Sequence, residues 1–253
     1  MPRAARRKSK TNIYHIMIRG INRQNIFVDD EDNQRFIDTL AKYRLEAEYE
    51  LYAYCLMGNH IHLLLKEGNE ALSNTMRRIG TSYVYWYNWQ YDRKGHLFQD
   101  RYRSEPVEDD TYFLTVLRYI HQNPLKAGIA DSIEQYKWSS YQEYTKEAKI
   151  VSVDFALAMF AENRNKALLG FKDFNLALND DQCLDITAAR KTISDKAIRQ
   201  LVANKYKIEL ASLANEKLET QVEIFKFLKG LDGASLRQLS RLTGFTVNKI
   251  YRA

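Results

Sequence analysis

The sequence predicts an α+β fold, with helices packed on one four-stranded antiparallel sheet and an all-helical region after it. Three observations carry this expectation. Four apolar runs of strand character fall at residues 13–19, on either side of Gly58-Asn59, and at 95–103. Acid-led stretches with apolar residues at three- and four-residue steps separate them. From about Thr145 strand signals vanish and only helical periodicity remains. The resulting order, strand–helix–strand–strand–helix–strand–helix, suits an antiparallel sheet layered with helices.

Composition bounds the rest. A chain of 253 residues can bury one good core and a smaller second one. With 45% apolar and 28% charged residues it has the make-up of a soluble globular protein. No apolar run approaches membrane-spanning length, and no apolar segment follows the basic start to form a signal peptide, so a cytoplasmic location and no membrane contact are expected. Cys55 and Cys183 stand far apart without a C-x-x-C spacing, which argues against a disulfide framework or a zinc cage. The net charge of +6 is uneven: residues 144–253 carry 18 Lys+Arg against 13 Asp+Glu, residues 1–143 carry 20 against 19. Five cations and no anion fall in residues 1–10, a basic arm suited to a polyanion, although solubility alone explains many such biases.

In order, Ile13-Tyr14-His15-Ile16-Met17-Ile18-Arg19 reads as the first strand, closed by Gly20; His15 could sit near a metal, but a histidine in an apolar strand is more often a packed core residue, and it is left out of the site. Asp29-Asp30-Glu31-Asp32 opens a helix running to about Ala47, because acidic side chains favour the positive end of the helix dipole. Strands two and three form a hairpin around Gly58-Asn59, a dipeptide suited to positive backbone angles. Glu70 to Tyr91 is a second helix; Tyr83, Tyr85, Trp86, Tyr87, Trp89 and Tyr91 are too many aromatics for one buried stripe. Some would stack on bases beside Arg77 and Arg78, the alternative being core packing. Residues 95–103 read as the fourth strand, with Gln99, Arg101 and Arg103 on one face for phosphate oxygens, or simply solvated. Glu108-Asp109-Asp110 opens a third helix that ends near Asn123, stopped by Pro124.

The polar stretch from Asn175 to Asp185 reads as a linker. Thr220-Gln221-Val222-Glu223 and Ser235-Leu236-Arg237-Gln238 fit the capping-box pattern and would start helices. Gly244 breaks the second of these, and Thr246 begins a short basic helix. Helix, helix, glycine turn and short basic helix outline a helix-turn-helix reader, with Asn248, Lys249 and Arg252 toward DNA; small helical bundles of this shape also serve as plain structural units. The expected organisation is a basic arm at 1–10, a catalytic domain at 11–143, a helical extension and linker at 144–185, and a helical DNA-binding region at 186–253.

The chemistry centres on His60 and His62. Strand side chains alternate faces, so both imidazoles point to one side while Ile61, Leu63 and Leu65 point to the other. Neutral imidazole is the commonest side-chain metal ligand, although a bare His-x-His arises often by chance. A divalent cation there could polarise a phosphate, and the amide oxygen of Asn123 could complete the protein ligands. Magnesium prefers oxygen ligands and imidazole suits manganese better, so Mg2+ or Mn2+ is expected. A tyrosine beside the cation would leave a covalent protein–DNA phosphodiester. Composition cannot choose among 17 tyrosines. Tyr119 is favoured because its helix follows the fourth strand and Asn123 lies one turn on; Tyr112, two turns earlier, is the alternative.

Leu56-Met57-Gly58-Asn59-His60-Ile61-His62-Leu63-Leu64 resembles the His-hydrophobic-His (HUH) motif of the single-tyrosine transposases. Residues 95–104, Arg118-Tyr119-Ile120-His121-Gln122-Asn123-Pro124 and Trp138-Ser139-Ser140-Tyr141 resemble later blocks of that family, and the nearest branch is the REP-associated tyrosine transposases. The resemblance covers about residues 11–143 in the right order. It implies a ferredoxin-like catalytic domain, a divalent metal on His60 and His62, and Tyr119 as the nucleophile that becomes 5′-phosphotyrosine and frees a 3′-hydroxyl. The implied substrate is single-stranded DNA next to a hairpin; a homodimer is one candidate assembly, which the sequence leaves open. Asn123 stands where relatives often carry glutamine, and Gly58 where many carry proline. The helical C-terminal region receives no function from the resemblance. Rival readings are a DNA-binding transcriptional regulator whose catalytic domain is idle, and a metal nuclease that activates water.

Overall fold

The computed structural model describes residues 6–181, 183–184, 193–231, 234 and 236–252. They fall into two compact units divided between residues 185 and 186. In the first, β1 (Ile13–Arg19), β2 (Glu50–Met57), β3 (His60–Lys66) and β4 (Arg103–Val107) form one antiparallel sheet in the order β2-β3-β1-β4. Between them run α1 (Asp30–Ala47) and α2 (Leu72–Gln90), and α3 (Asp110–Lys126) follows β4. This is the ferredoxin-like arrangement that the resemblance implied.

Local chemistry accounts for most of the boundaries. Asp29 caps α1: its carboxylate accepts from the N–H groups of Glu31 and Asp32, while the Asp32 carboxylate accepts from Asp29 N–H. Asp109 caps α3 through Tyr112 N–H at 2.8 Å. Ile61, Leu63 and Leu65 are fully buried on one face of β3, in a core to which α1 and α2 contribute Phe36, Leu40, Met76, Ile79 and Tyr83. The first unit is completed by α4 (Tyr141–Thr145), α5 (Val153–Ala158) and α6 (Arg164–Leu176).

Five expectations need correction. Neither Gly58 nor Asn59 takes a positive φ. The hairpin turn is instead shaped by its neighbour, since Ile26 and Phe27 N–H donate to Gly58 C=O and Gly20 N–H donates to Asn59 C=O. Residues 95–102 are not a strand: only Phe98 bridges Gly20, and β4 begins at Arg103. Pro106 sits in that strand because β4 is a sheet edge, where a missing N–H costs no ladder bond. Pro124 does not stop α3, which continues to Lys126, so Asn123 lies within regular helix. The Pro124 C=O accepts from Ile129 N–H beyond the helix end, so that carbonyl is satisfied.

The supposed linker is, as far as residue 181, a docked segment. Asn175 is fully buried in α6, Gln122 donates to the carbonyls of Asn175 and Ala177, and Arg118 forms a two-point ion pair with Asp181. Its polar composition matches polar groups on α3 rather than water.

The second unit contains α7 (Asp195–Tyr206), α8 (Leu218–Lys229), α9 (Leu236–Thr243) and α10 (Val247–Arg252) around Ile198, Val202, Ile224, Phe225, Leu228, Leu239 and Ile250. The fifth correction is here: Thr220 does not start α8, which begins two residues earlier, because the Gln221 side chain bonds back to the carbonyls of Ala214 and Glu216. Ser235, expected to cap α9, lies outside the described residues. Gly244 follows α9 with φ +74°, and its N–H closes on Ser240 C=O.

One buried network joins three parts of the first unit. His121 of α3 is fully buried, with Nδ1 3.0 Å from Asn175 Oδ1 and Nε2 2.9 Å from Ser140 Oγ, and Ser140 also accepts from Tyr54 N–H of β2. Replacing His121 by alanine removes both bonds and leaves a cavity. We expect a loss of about 3 kcal/mol in urea unfolding, seen as a lower midpoint at unchanged slope.

Candidate active site

The β1–β3 register brings the polar side chains together. Arg19 pairs with His60, Met17 with His62 and His15 with Leu64, and Arg103 and Glu105 of β4 pair with Met17 and His15. Paired residues share a face, so His15, Met17, Arg19, Arg103 and Glu105 lie on the side of His60 and His62. Helix α3 crosses this side. The Tyr119 ring stands edge-on to His62 and His15, with centroids 5.5 and 5.8 Å apart, and Lys126 Nζ lies 6.0 Å from it. Tyr119 is 6% exposed, and Asn123, one turn on, is 9% exposed.

The hydrogen bonds orient the imidazoles. Asn59 Oδ1 lies 2.6 Å from His60 Nδ1, and Asn59 Nδ2 donates to Arg23 C=O, which fixes the amide's orientation. An amide oxygen only accepts, so the proton of neutral His60 sits on Nδ1 and its Nε2 carries the lone pair. His62 Nδ1 lies 3.0 Å from His15 Nε2, while His62 Nε2 and His15 Nδ1 are buried without a hydrogen-bond partner. Burial, then the neighbouring His15 and His60, push the His62 pKa far below the usual histidine range; burial alone takes His15 to about 3. Both rings are therefore neutral at physiological pH.

These features fit a divalent cation. His62 offers a buried nitrogen in want of a partner, and His60 offers a lone pair on the same face. No cluster of three or more His, Cys, Asp or Glu suited to a metal occurs among the described residues; Asn123, one turn beyond Tyr119 on α3, is the expected further donor. Tyr112, the alternative phenol, donates to Glu105 Oε2 at 2.6 Å. Burial and that bond push its pKa well above the usual range, which disfavours the phenolate a nucleophile needs. His15 and Asn59 were missed in the sequence. For Asn59 the signal was adjacency to His60; for His15 there was none without the register.

The expected DNA-contacting residues are dispersed. Gln99 and Arg101 precede β4, so they do not form one strand face with Arg103, which lies on the histidine side. Gln99, Arg101 and Arg77 instead line a groove of about 1080 Å³ with Arg6 and Tyr85. Ile18, whose partner is Ile61, also lines this groove and places it on the sheet side opposite the histidines. Arg78 is held by Glu46 and Glu70 and packs over Tyr43. On α10, Asn248 and Arg252 are exposed, and Lys249 Nζ lies 3.2 Å from Gln221 Oε1 and over the Phe245 ring.

The neutral histidines have a consequence for stability. The folded pKa of His121 is lowered by burial to about 4, so the unfolded chain takes up protons first as pH falls below the ordinary histidine value. Its stabilising contribution is present above about pH 6.5 and is lost on the way to pH 4, by about 3 kcal/mol. His15 and His62 act in the same sense. Urea midpoints between pH 7 and 4.5 should fall steeply, and His121→Ala should flatten that slope.

Known proteins share parts of this sequence and fold. Residues 8–123 match the family described as "Transposase IS200 like". A Haemophilus influenzae protein named among the REP-associated tyrosine transposases is 25% identical over 109 residues, which cover 39% of this chain and 62% of that relative. The solved structure of a REP-associated tyrosine transposase bound to a REP hairpin superposes with a TM-score of 0.53 at 17% identity, over 77% of this chain and 100% of that one. That likeness is one of fold. The segment that carries the histidine pair and the tyrosine helix, residues 8–123, is therefore the part of the chain similar to the IS200-like transposases.

Proposed function

We propose that the chain is a metal-assisted DNA strand transferase that cleaves and rejoins single-stranded DNA near hairpins through a covalent 5′-phosphotyrosine at Tyr119. The observation that carries this reading is the placement of the Tyr119 ring 5.5 Å from that of His62, whose Nε2 is buried and unpartnered. In this reading His60, His62 and Asn123 hold Mg2+ or Mn2+. The cation, when bound, supplies polarisation of the scissile phosphate and charge stabilisation on its oxygens. The Tyr119 phenol attacks phosphorus, the P–O3′ bond breaks as the Oη–P bond forms, the phenolic proton passes to solvent and the departing O3′ takes up a proton as a hydroxyl. One phosphodiester replaces another, so the 3′-hydroxyl can reverse the step.

Hairpin DNA as the partner is supported by the REP hairpin in the related solved structure. The groove lined by Arg6, Arg77 and Arg101, on the sheet side opposite the histidines, is a basic surface for DNA flanking the cleavage point, with Tyr85, 78% exposed, as a stacking platform. Helix α10 offers Asn248, Lys249 and Arg252 as a second, separate DNA contact.

The test is a hairpin oligonucleotide with a single-stranded extension, labelled at its 3′ end and incubated with MnCl2 or MgCl2. A covalent adduct resistant to denaturant should form, and it should vanish in a folded Tyr119→Phe variant. An adduct that persists in Tyr119→Phe overturns the assignment. Arg77→Ala combined with Arg101→Ala should weaken oligonucleotide binding about tenfold at moderate salt and reduce the slope of log affinity against log salt, while free Mn2+ binding stays unchanged.

A further inference from the structure

We infer that His15 is a positioning residue: its Nε2 accepts the Nδ1 proton of His62 and so keeps the His62 Nε2 lone pair directed at the cation. The inference rests on the reading that His60 and His62 hold a divalent metal. Both rings are fully buried, and the nitrogens lie 3.0 Å apart. Each neutral imidazole has one N–H and one lone pair, so the contact can be made in two ways. In one, His62 donates from Nδ1 and its Nε2 is a free lone pair. In the other, His15 donates from Nε2, and His62 must carry its proton on Nε2, where a cation could not bind.

The free state does not favour the second arrangement. Either way His62 Nε2 and His15 Nδ1 have no hydrogen-bond partner, so the burden of unpaired buried nitrogens is the same. A cation on Nε2 halves that burden only in the first arrangement. His60 meets the same requirement locally through Asn59, whereas His62 draws its acceptor from across the sheet, from β1. Metal-bound imidazoles are commonly oriented in this way by an acceptor on the opposite ring nitrogen. His15 also stands 5.8 Å from the Tyr119 ring, so the same side chain sets the wall against which the phenol rests.

A plain packing role is the competing account, and the substitutions separate the two. His15→Phe keeps the aromatic volume without an acceptor; His15→Gln loses the ring but keeps an acceptor oxygen. Binding of MnCl2 alone to the full chain is measured by electron paramagnetic resonance, beside thermal unfolding. We expect His15→Phe to bind Mn2+ 10–100-fold more weakly, on the order of a lost outer-shell partner, and His15→Gln to recover most of that loss. Folded His15→Phe binding within about twofold of the parent overturns the inference while leaving the metal reading intact. Parent protein that binds no Mn2+, or binds it equally after His60→Ala, overturns the metal reading and the inference with it. Should His15→Phe fail to fold, nitrogen-15 spectra of the Mg2+-loaded parent decide the matter: a hydrogen-bond coupling from the His62 Nδ1 proton to His15 Nε2 is expected, and its absence overturns the proposal.

Discussion

The pairing of β1 with β3, in the register that sets Met17 opposite His62, is the constraint on which the rest depends. Side chains alternate along both strands, so a slip of one residue would carry His15 to the other side of the sheet and leave His62 facing Ile16 or Ile18 as pairing partners. Two features hold that register. Three apolar residues of β3 fill the opposite side completely, and at the hairpin end Gly20 N–H bonds to Asn59 C=O. Gly20 has a steric role as well: a Cβ there would lie 2.3 Å from Gln24 C=O.

Helix α3 has to satisfy two environments at once. Tyr119 meets the imidazoles on the sheet side. His121, two residues on and so on nearly the opposite side of the helix, is held by Ser140 and Asn175 among the rings of Tyr141, Tyr144 and Phe171. The polar bonds on the outer side fix the helix's rotation, and the rotation fixes where the phenol points. Apolar packing alone would leave that angle loosely set, because methyl and ring contacts have no direction.

How much of this was legible in the sequence differs by element. The first strand, the hairpin and the first helix announced themselves through alternation and through the acidic cap at Asp29-Asp32, which are local signals. The shared face of His60 and His62 follows from the period of two. Strand β4 was misplaced because Arg103-Ser104-Glu105-Pro106-Val107 is mostly polar and carries a proline, whereas Leu97 and Phe98 upstream look strand-like yet pack as a loop into the core. His15 could not be assigned to the cluster, because its neighbours are set by which strands pair, which is tertiary information. Residues 175–181 misled for another reason: a polar segment that hydrogen-bonds to a helix has the same composition as one dissolved in water.

That docked segment bears on where the first unit ends as a physical object. The family match stops at residue 123, yet Gln122 depends on the carbonyls of Asn175 and Ala177, Arg118 on Asp181, and His121 on Ser140. A fragment cut at the family boundary would strip all these groups of their partners; one cut at residue 143 would keep Ser140 but lose Asn175, Ala177 and Asp181, and would remove Phe171 from beside His121 and Tyr141. The smallest piece able to hold the tyrosine helix in place therefore reaches about sixty residues past the family match, and the extension serves as scaffolding for that helix rather than as a tether.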